Sequence, residues 1–136
     1  MRIYLDTAPI IYLVEGIVPY ASVLEARLAQ PEVTPICSEL SRLECRVKPL
    51  RDGQHTLLAA IDSYFTELIA EMIPLSRQVI DKATQLRARY GLRIPDAIHL
   101  AAAATSGCDL FLTNDLRLGK CSEVPVEVIQ GSEPPS

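Results

Sequence analysis

A chain of 136 residues is about one domain long, enough to bury a core without help from disulfides. With 49% hydrophobic and 22% charged residues it has the balance of a folded globular protein, not of a disordered one. The net charge of −4 argues against a uniformly basic nucleic-acid binder, and no apolar run approaches the roughly 18–20 residues that span a bilayer.

The first predicted element is a strand over residues 2–5, closed by Asp6. Thr7 is a good helix N-cap, and Pro9 fits the first turn of a helix that runs to Glu15 and stops at Gly16. A secretory signal core would not tolerate Asp6, Pro9 and Glu15, so the segment reads as structure and the protein as cytoplasmic. A second helix follows over 20–29, with Tyr20, Val23, Leu24 and Leu28 on one face. Pro31 breaks it, and 33–37 reads as a strand despite Pro35. Ser38 caps a third helix whose stripe is Leu40, Leu43, Val47 and Leu50, with Pro49 marking its fraying end. After Gly53 comes a fourth helix, with Leu57, Leu58, Ile61, Tyr64, Phe65 and Leu68 at helical spacing.

Residues 70–75 form a short third strand. Ser76 caps a fifth helix that turns Val79, Ile80, Ala83, Leu86 and Tyr90 inward and ends at Gly91. A sixth helix begins at Pro95 and Asp96 and stops at Gly107; the strand 110–113 then runs straight into Asn114 and Asp115. A last edge strand over 124–129, interrupted by Pro125, completes a domain of residues 1–130, and 131–136 form a disordered tail. Strands alternating with helices predict a three-layer α/β/α sandwich with a central parallel sheet. Cys37, Cys45, Cys108 and Cys121 contain no C-x-x-C pair and match no structural zinc spacing, so they read as reduced, buried, small hydrophobes.

Three acids then stand at one edge of the sheet: Asp6 and Asp115 beyond strand ends, and Asp96 in the first turn of a helix. Open α/β sheets place their sites in the crevice beyond the strand carboxyl ends. Each acid alone reads as a helix or turn residue; together they suggest a site for Mg²⁺ or Mn²⁺, which take oxygen ligands and leave room for phosphate oxygens. Two basic clusters, Arg42, Arg46, Lys48 and Arg51, then Arg87, Arg89 and Arg93, are either solvated helix faces or contacts for RNA phosphates.

The series YLDT at Asp6, Glu44 in the third helix, IPDAIHLAAA around Asp96 and FLTND ending at Asp115 resembles the PIN-domain nucleases, and most of all the VapC-type toxins of toxin–antitoxin pairs. The resemblance covers the chain up to its tail. It implies an Mg²⁺-dependent endoribonuclease, with Mn²⁺ as a substitute, that cleaves RNA as a toxin and is usually a homodimer. It also implies an antitoxin whose C-terminal segment occupies the acidic pocket. By that resemblance Asp6 and Asp96 are the principal metal ligands, Asp115 holds metal or its waters, and Glu44 is the acid of the third helix. Thr113 and Asn114 match supporting polar positions, as does Thr7.

Periodicity does not choose between Glu44 and Glu39, which lie about 140° apart on the helix; the resemblance selects Glu44. His99, one turn after Asp96, reads as a helix-packing residue, since metal-activated water needs no histidine base. A dehalogenase-type phosphatase wants a second acid where Ala8 stands, and a receiver wants adjacent acids in the first strand. The remaining alternative is a non-catalytic RNA-binding or scaffold module of the same fold.

Overall fold

The computed structural model describes residues 1–129, so the predicted tail and residue 130 lie outside the described residues. In chain order the elements are β1 (Arg2–Leu5), α1 (Thr7–Glu15), α2 (Tyr20–Leu28), β2 (Thr34–Ser38), α3 (Glu39–Arg51), α4 (His55–Glu67), β3 (Glu71–Ile73), α5 (Arg77–Tyr90), α6 (Ile94–Thr105), β4 (Leu110–Thr113) and β5 (Val126–Val128). A short 3₁₀ turn, Leu116–Lys120, which the sequence did not suggest, lies between β4 and β5.

The five strands are all parallel and ordered β3-β2-β1-β4-β5. Strand alternation splits the core in two. Tyr4, Ile36 and Phe111 face α5 and α6, where they meet Leu86, Leu100 and the alanines 101–103. Ile3, Leu5, Cys37 and Leu112 face the other way, against Ile10, Leu24, Cys45, Ile61 and Phe65 from α1 to α4. This is the expected three-layer sandwich. The four cysteines are free and buried. The chain winds outward from β1 through β2 to β3, then returns to the other side of β1 for β4 and β5. The reversal opens a crevice beyond the carboxyl ends of β1 and β4, and Asp6 and Asp115 stand beyond those ends.

Pro35 sits in β2 one residue before the ladder to β3 begins at Ile36↔Glu71, so its missing N–H leaves no gap there. Among the described residues no single helix is long and apolar enough to cross a membrane; α1 and α2 pass that test only as a pair bent by 105°.

Four local expectations are corrected. The N-cap of α1 is Asp6, whose carboxylate accepts the Thr7 N–H, and Thr7 is the first helical residue. On α3, Leu43, Val47 and Leu50 are 57%, 50% and 64% exposed, while Ser41, Cys45 and Pro49 face the core. A capping box decides this facing: Ser41 Oγ accepts the Ser38 N–H and the Ser38 hydroxyl accepts the Ser41 N–H, which turns the helix's polar start inward. Pro49 is inside the helix, not at a frayed end. Leu68, just past α4, and Ile80 on α5 are likewise exposed, not inward.

Two truncations separate core from surface. Leu100→Ala, at a fully buried position of α6, is expected to cost about 2–5 kcal/mol, whereas Leu50→Ala changes stability by no more than about 0.5 kcal/mol. Urea unfolding of the two variants beside the parent chain measures both; an equal loss would contradict the observed facing of α3.

Candidate functional site

Asp6 follows the last residue of β1, and its N–H donates to the Leu112 carbonyl of β4 at 2.9 Å. Both of its oxygens are engaged. Oδ1 caps α1 by accepting the Thr7 N–H at 2.9 Å, and Oδ2 accepts the buried Thr113 hydroxyl at 2.7 Å. Thr113 Oγ1 in turn accepts the Asp115 N–H at 3.1 Å, so one hydroxyl links the ends of both central strands to the following acid.

Glu44 reaches the same place from α3. Its Oε1 accepts the Thr7 hydroxyl at 2.6 Å and the His99 Nε2–H at 2.5 Å. No described side chain donates to Oε2, which leaves one oxygen of Glu44 open. His99 is fully buried on α6, with Nε2 3.9 Å from Asp6 Oδ1 and Nδ1 2.7 Å from the buried Tyr4 hydroxyl. That hydroxyl donates to Ser38 Oγ at 2.8 Å. Glu39, by contrast, is exposed, which favours Glu44 as the acid facing the site. Burial pushes the Glu44 carboxyl upward, yet hydrogen bonds from His99 and Thr7 and the charges of His99 and Arg93 outweigh it and hold it below its ordinary value. Burial raises the Tyr4 phenol, which therefore stays protonated.

The other two acids are held differently. Asp96 lies one turn before His99 on α6, on the same helix face, and accepts Arg93 Nε at 3.2 Å. Asp115 accepts a forked pair from Arg117, Nε to Oδ1 at 3.0 Å and a terminal nitrogen to Oδ2 at 2.6 Å. The Arg117 N–H adds a third bond to Oδ1 at 3.0 Å. The Arg117 hydrogen bonds hold the Asp115 carboxyl below its ordinary range. Among the described residues, no three His, Cys, Asp or Glu side chains are gathered closely enough to hold a metal ion in this arrangement.

The arrangement thus joins Asp6, Glu44, Thr7 and Thr113 through direct hydrogen bonds and sets Asp96 and Asp115 at its border, each under an arginine. Asn114 is exposed and donates to the Tyr12 hydroxyl at 3.1 Å. Of the two basic clusters, Arg46, Arg51 and Arg89 pair with Asp62, Asp52 and Glu123, and Arg87 donates to the Leu92 carbonyl. Only Arg93 within them reaches an acid of the site. Sequence reasoning passed over Tyr4, His99's link to Glu44, and Arg117. A tyrosine inside an otherwise aliphatic strand was the one available signal for Tyr4; nothing in the pattern marks Arg117.

The fold is thus a parallel α/β domain whose acids stand beyond the strand carboxyl ends at the topological switch point, where open sheets of this kind place their sites. The PIN domain family profile matches residues 3–124, and the chain belongs to that family. No curated protein matches the sequence significantly. Similar folds occur in a chain of the VapBC2 complex from Rickettsia felis, bound to a DNA fragment of its promoter, with a TM-score of 0.76 at 18% identity over 94% of this chain and 98% of that one. DNA-bound VapBC from Salmonella typhimurium gives 0.75 at 15% identity over the same shares. VapC20 from Mycobacterium tuberculosis, a sarcin–ricin loop cleaving toxin, gives 0.67 at 14% identity over 80% of this chain and 86% of that one.

The lowered Glu44 and Asp115 carboxyls fix the sign of an acid response. A carboxyl whose folded value lies below its unfolded one adds stability above the unfolded value and loses it as pH falls through the folded one. Stability of the metal-free protein therefore falls as pH drops below the ordinary carboxylate values of 4.5 for Glu44 and 3.8 for Asp115. Glu44→Gln should flatten the Glu44 part of that decline in urea titrations across acid pH; an unchanged slope would contradict the assignment.

Proposed function

We propose that this protein is a metal-dependent endoribonuclease that acts in the cytoplasm as the toxin of a toxin–antitoxin pair. The observation that carries the reading is the convergence on one crevice: Asp6, Glu44 and His99 meet within 4 Å, with Asp96 one turn away on α6 and Asp115 tied in through Thr113. The donor set consists of hard carboxylate oxygens, and Glu44 keeps one oxygen open, which fits Mg²⁺ or Mn²⁺. Asp6, Asp96 and Asp115 would hold the ion, with Glu44 beside them. When bound, such an ion acidifies water for attack on phosphorus and offsets the charge that builds on the phosphate oxygens.

The protein's own residues do the rest. Thr7 N–H and Thr113 Oγ1 fix the Asp6 carboxylate in one orientation, so little reorganisation remains when a ligand arrives. His99, backed by Tyr4, and Thr7 together occupy one oxygen of Glu44 and hold its carboxylate beside Asp6. His99 is a positioning residue in this scheme, not a base. Sequence discrimination falls to loops around the crevice, since the acids can read only backbone phosphate.

Family membership and the toxin–antitoxin complexes among similar folds support an antitoxin partner; in this proposal its C-terminal segment enters the acidic pocket and the chain forms a homodimer. One observation favours the non-catalytic alternative: two of the four acids carry an arginine. Cleavage of total cellular RNA by the purified, antitoxin-free protein separates the two. With Mn²⁺ or Mg²⁺ discrete fragments are expected, and chelator should remove them. Asp96→Asn should cut the rate by on the order of a hundredfold or more while leaving the thermal midpoint intact. A folded protein that cuts no cellular RNA would favour the binding module, and cleavage surviving Asp96→Asn would mean the site is wrongly assigned.

A further inference from the structure

We infer that the cleft bordered by Arg93, Arg117 and Lys120 beside Asp96 seats a phosphate of the RNA strand, and that both arginines exchange carboxylate for phosphate as RNA enters. The inference rests on the ribonuclease reading and assigns these residues a role toward substrate. The cleft is small, about 60 Å³, and its wall carries those three cations together with Asp96, Leu92 and Leu118.

Three features set these pairs apart from ordinary surface ion pairs. The Arg117 fork on Asp115 uses the two parallel bonds that a guanidinium also makes to phosphate, so the same side chain serves either anion without change of shape. The guanidinium-bearing side chains are 66% and 69% exposed, whereas the carboxylates beneath them are only 21% and 14% exposed. The arginines therefore cover their acids from the solvent side and can swing away without disturbing the core. Their influence is shared as well: Arg93 acts on Glu44 and Asp115, and Asp96 acts on Arg117. The two guanidiniums thus stand among three acids and are not two isolated local pairs.

A cation entering the crevice competes with Arg93 and Arg117 for the same oxygens. RNA offers each guanidinium an alternative partner, so metal and substrate draw the same exchange forward. Removing one arginine should then have opposite effects on the two ligands: metal binding gains because a competitor is gone, and RNA binding loses a phosphate contact.

Arg117→Met tests this, because the side chain is exposed and its loss spares the core. Binding of a labelled single-stranded RNA oligonucleotide is measured in chelator across a salt series, and Mn²⁺ binding to the RNA-free protein by calorimetry. The variant should bind RNA roughly three- to tenfold more weakly at low salt, with the log–log salt slope reduced by about 0.7, the share of one phosphate on a single strand. Its Mn²⁺ affinity should rise. Lys120→Met should weaken RNA in the same way and leave Mn²⁺ binding closer to the parent value. An unchanged salt slope for Arg117→Met overturns the inference, and so does a loss of both RNA and Mn²⁺ affinity, which would make Arg117 a mere support of the Asp115 loop. A parent protein that cleaves RNA while Arg117→Met keeps its slope sinks this inference alone; a parent that neither binds nor cleaves RNA sinks the ribonuclease reading with it.

Discussion

Asp6 joins the end of β1, the start of α1 and the end of β4 at one point. One oxygen caps α1 through the Thr7 N–H, the other accepts Thr113 at the end of β4, and its own backbone N–H closes on Leu112. A nearly buried carboxylate is costly unless its lone pairs are met, and here two donors in fixed positions meet them. Helix capping and the tie to Thr113 therefore depend on one side chain, while the pairing to β4 runs through the same residue's backbone. Stability and site geometry are coupled at Asp6 in a way they are not at the exposed border of the crevice.

A second constraint comes from the opposite layer of the sandwich. Tyr4 points from β1 toward α6, where it meets His99, and His99 passes through to Glu44 on α3. The chain of contacts crosses from one core cluster toward the other at the open end of the sheet, where no strand separates them. Small side chains on α6, three consecutive alanines with no exposed surface, let that helix lie close to the sheet. Had α3 turned its leucines inward, Glu44 would have rotated away from His99. The Ser38–Ser41 capping box and the site are thus one arrangement viewed from two sides.

Much of this was legible in the sequence, for reasons that can be named. The strand 110–113 coincides with its predicted bounds because Gly107 stops the helix before it and Asn114–Asp115 close it. Gly16, Gly91 and Gly107 all adopt the left-handed conformation that ends a helical segment. The places of Asp6 and Asp115 beyond β1 and β4, and of Asp96 in the first turn of α6, were legible because they follow from strand and helix ends. The facing of α3 was not: hydrophobic periodicity counts Ser41 as surface, although its hydroxyl is satisfied inside, and counts Leu43, Val47 and Leu50 as core. His99 looked like packing, and it is packed, but its ring nitrogens also bind Tyr4 and Glu44; burial and hydrogen bonding are not exclusive for this residue. Arg117 falls in a 3₁₀ turn, where no periodicity predicts which way a side chain points, so its hold on Asp115 had no sequence signal.

The reading stands on the crevice accepting a divalent cation among its acids. The most direct measurement is an anomalous-scattering map from crystals grown or soaked with Mn²⁺. A manganese peak flanked by the carboxylates of Asp6 and Asp96, with Arg117 turned away from Asp115, is the expected result. Well-ordered crystals with no peak among the acids, and with both arginines still on Asp96 and Asp115, would contradict it.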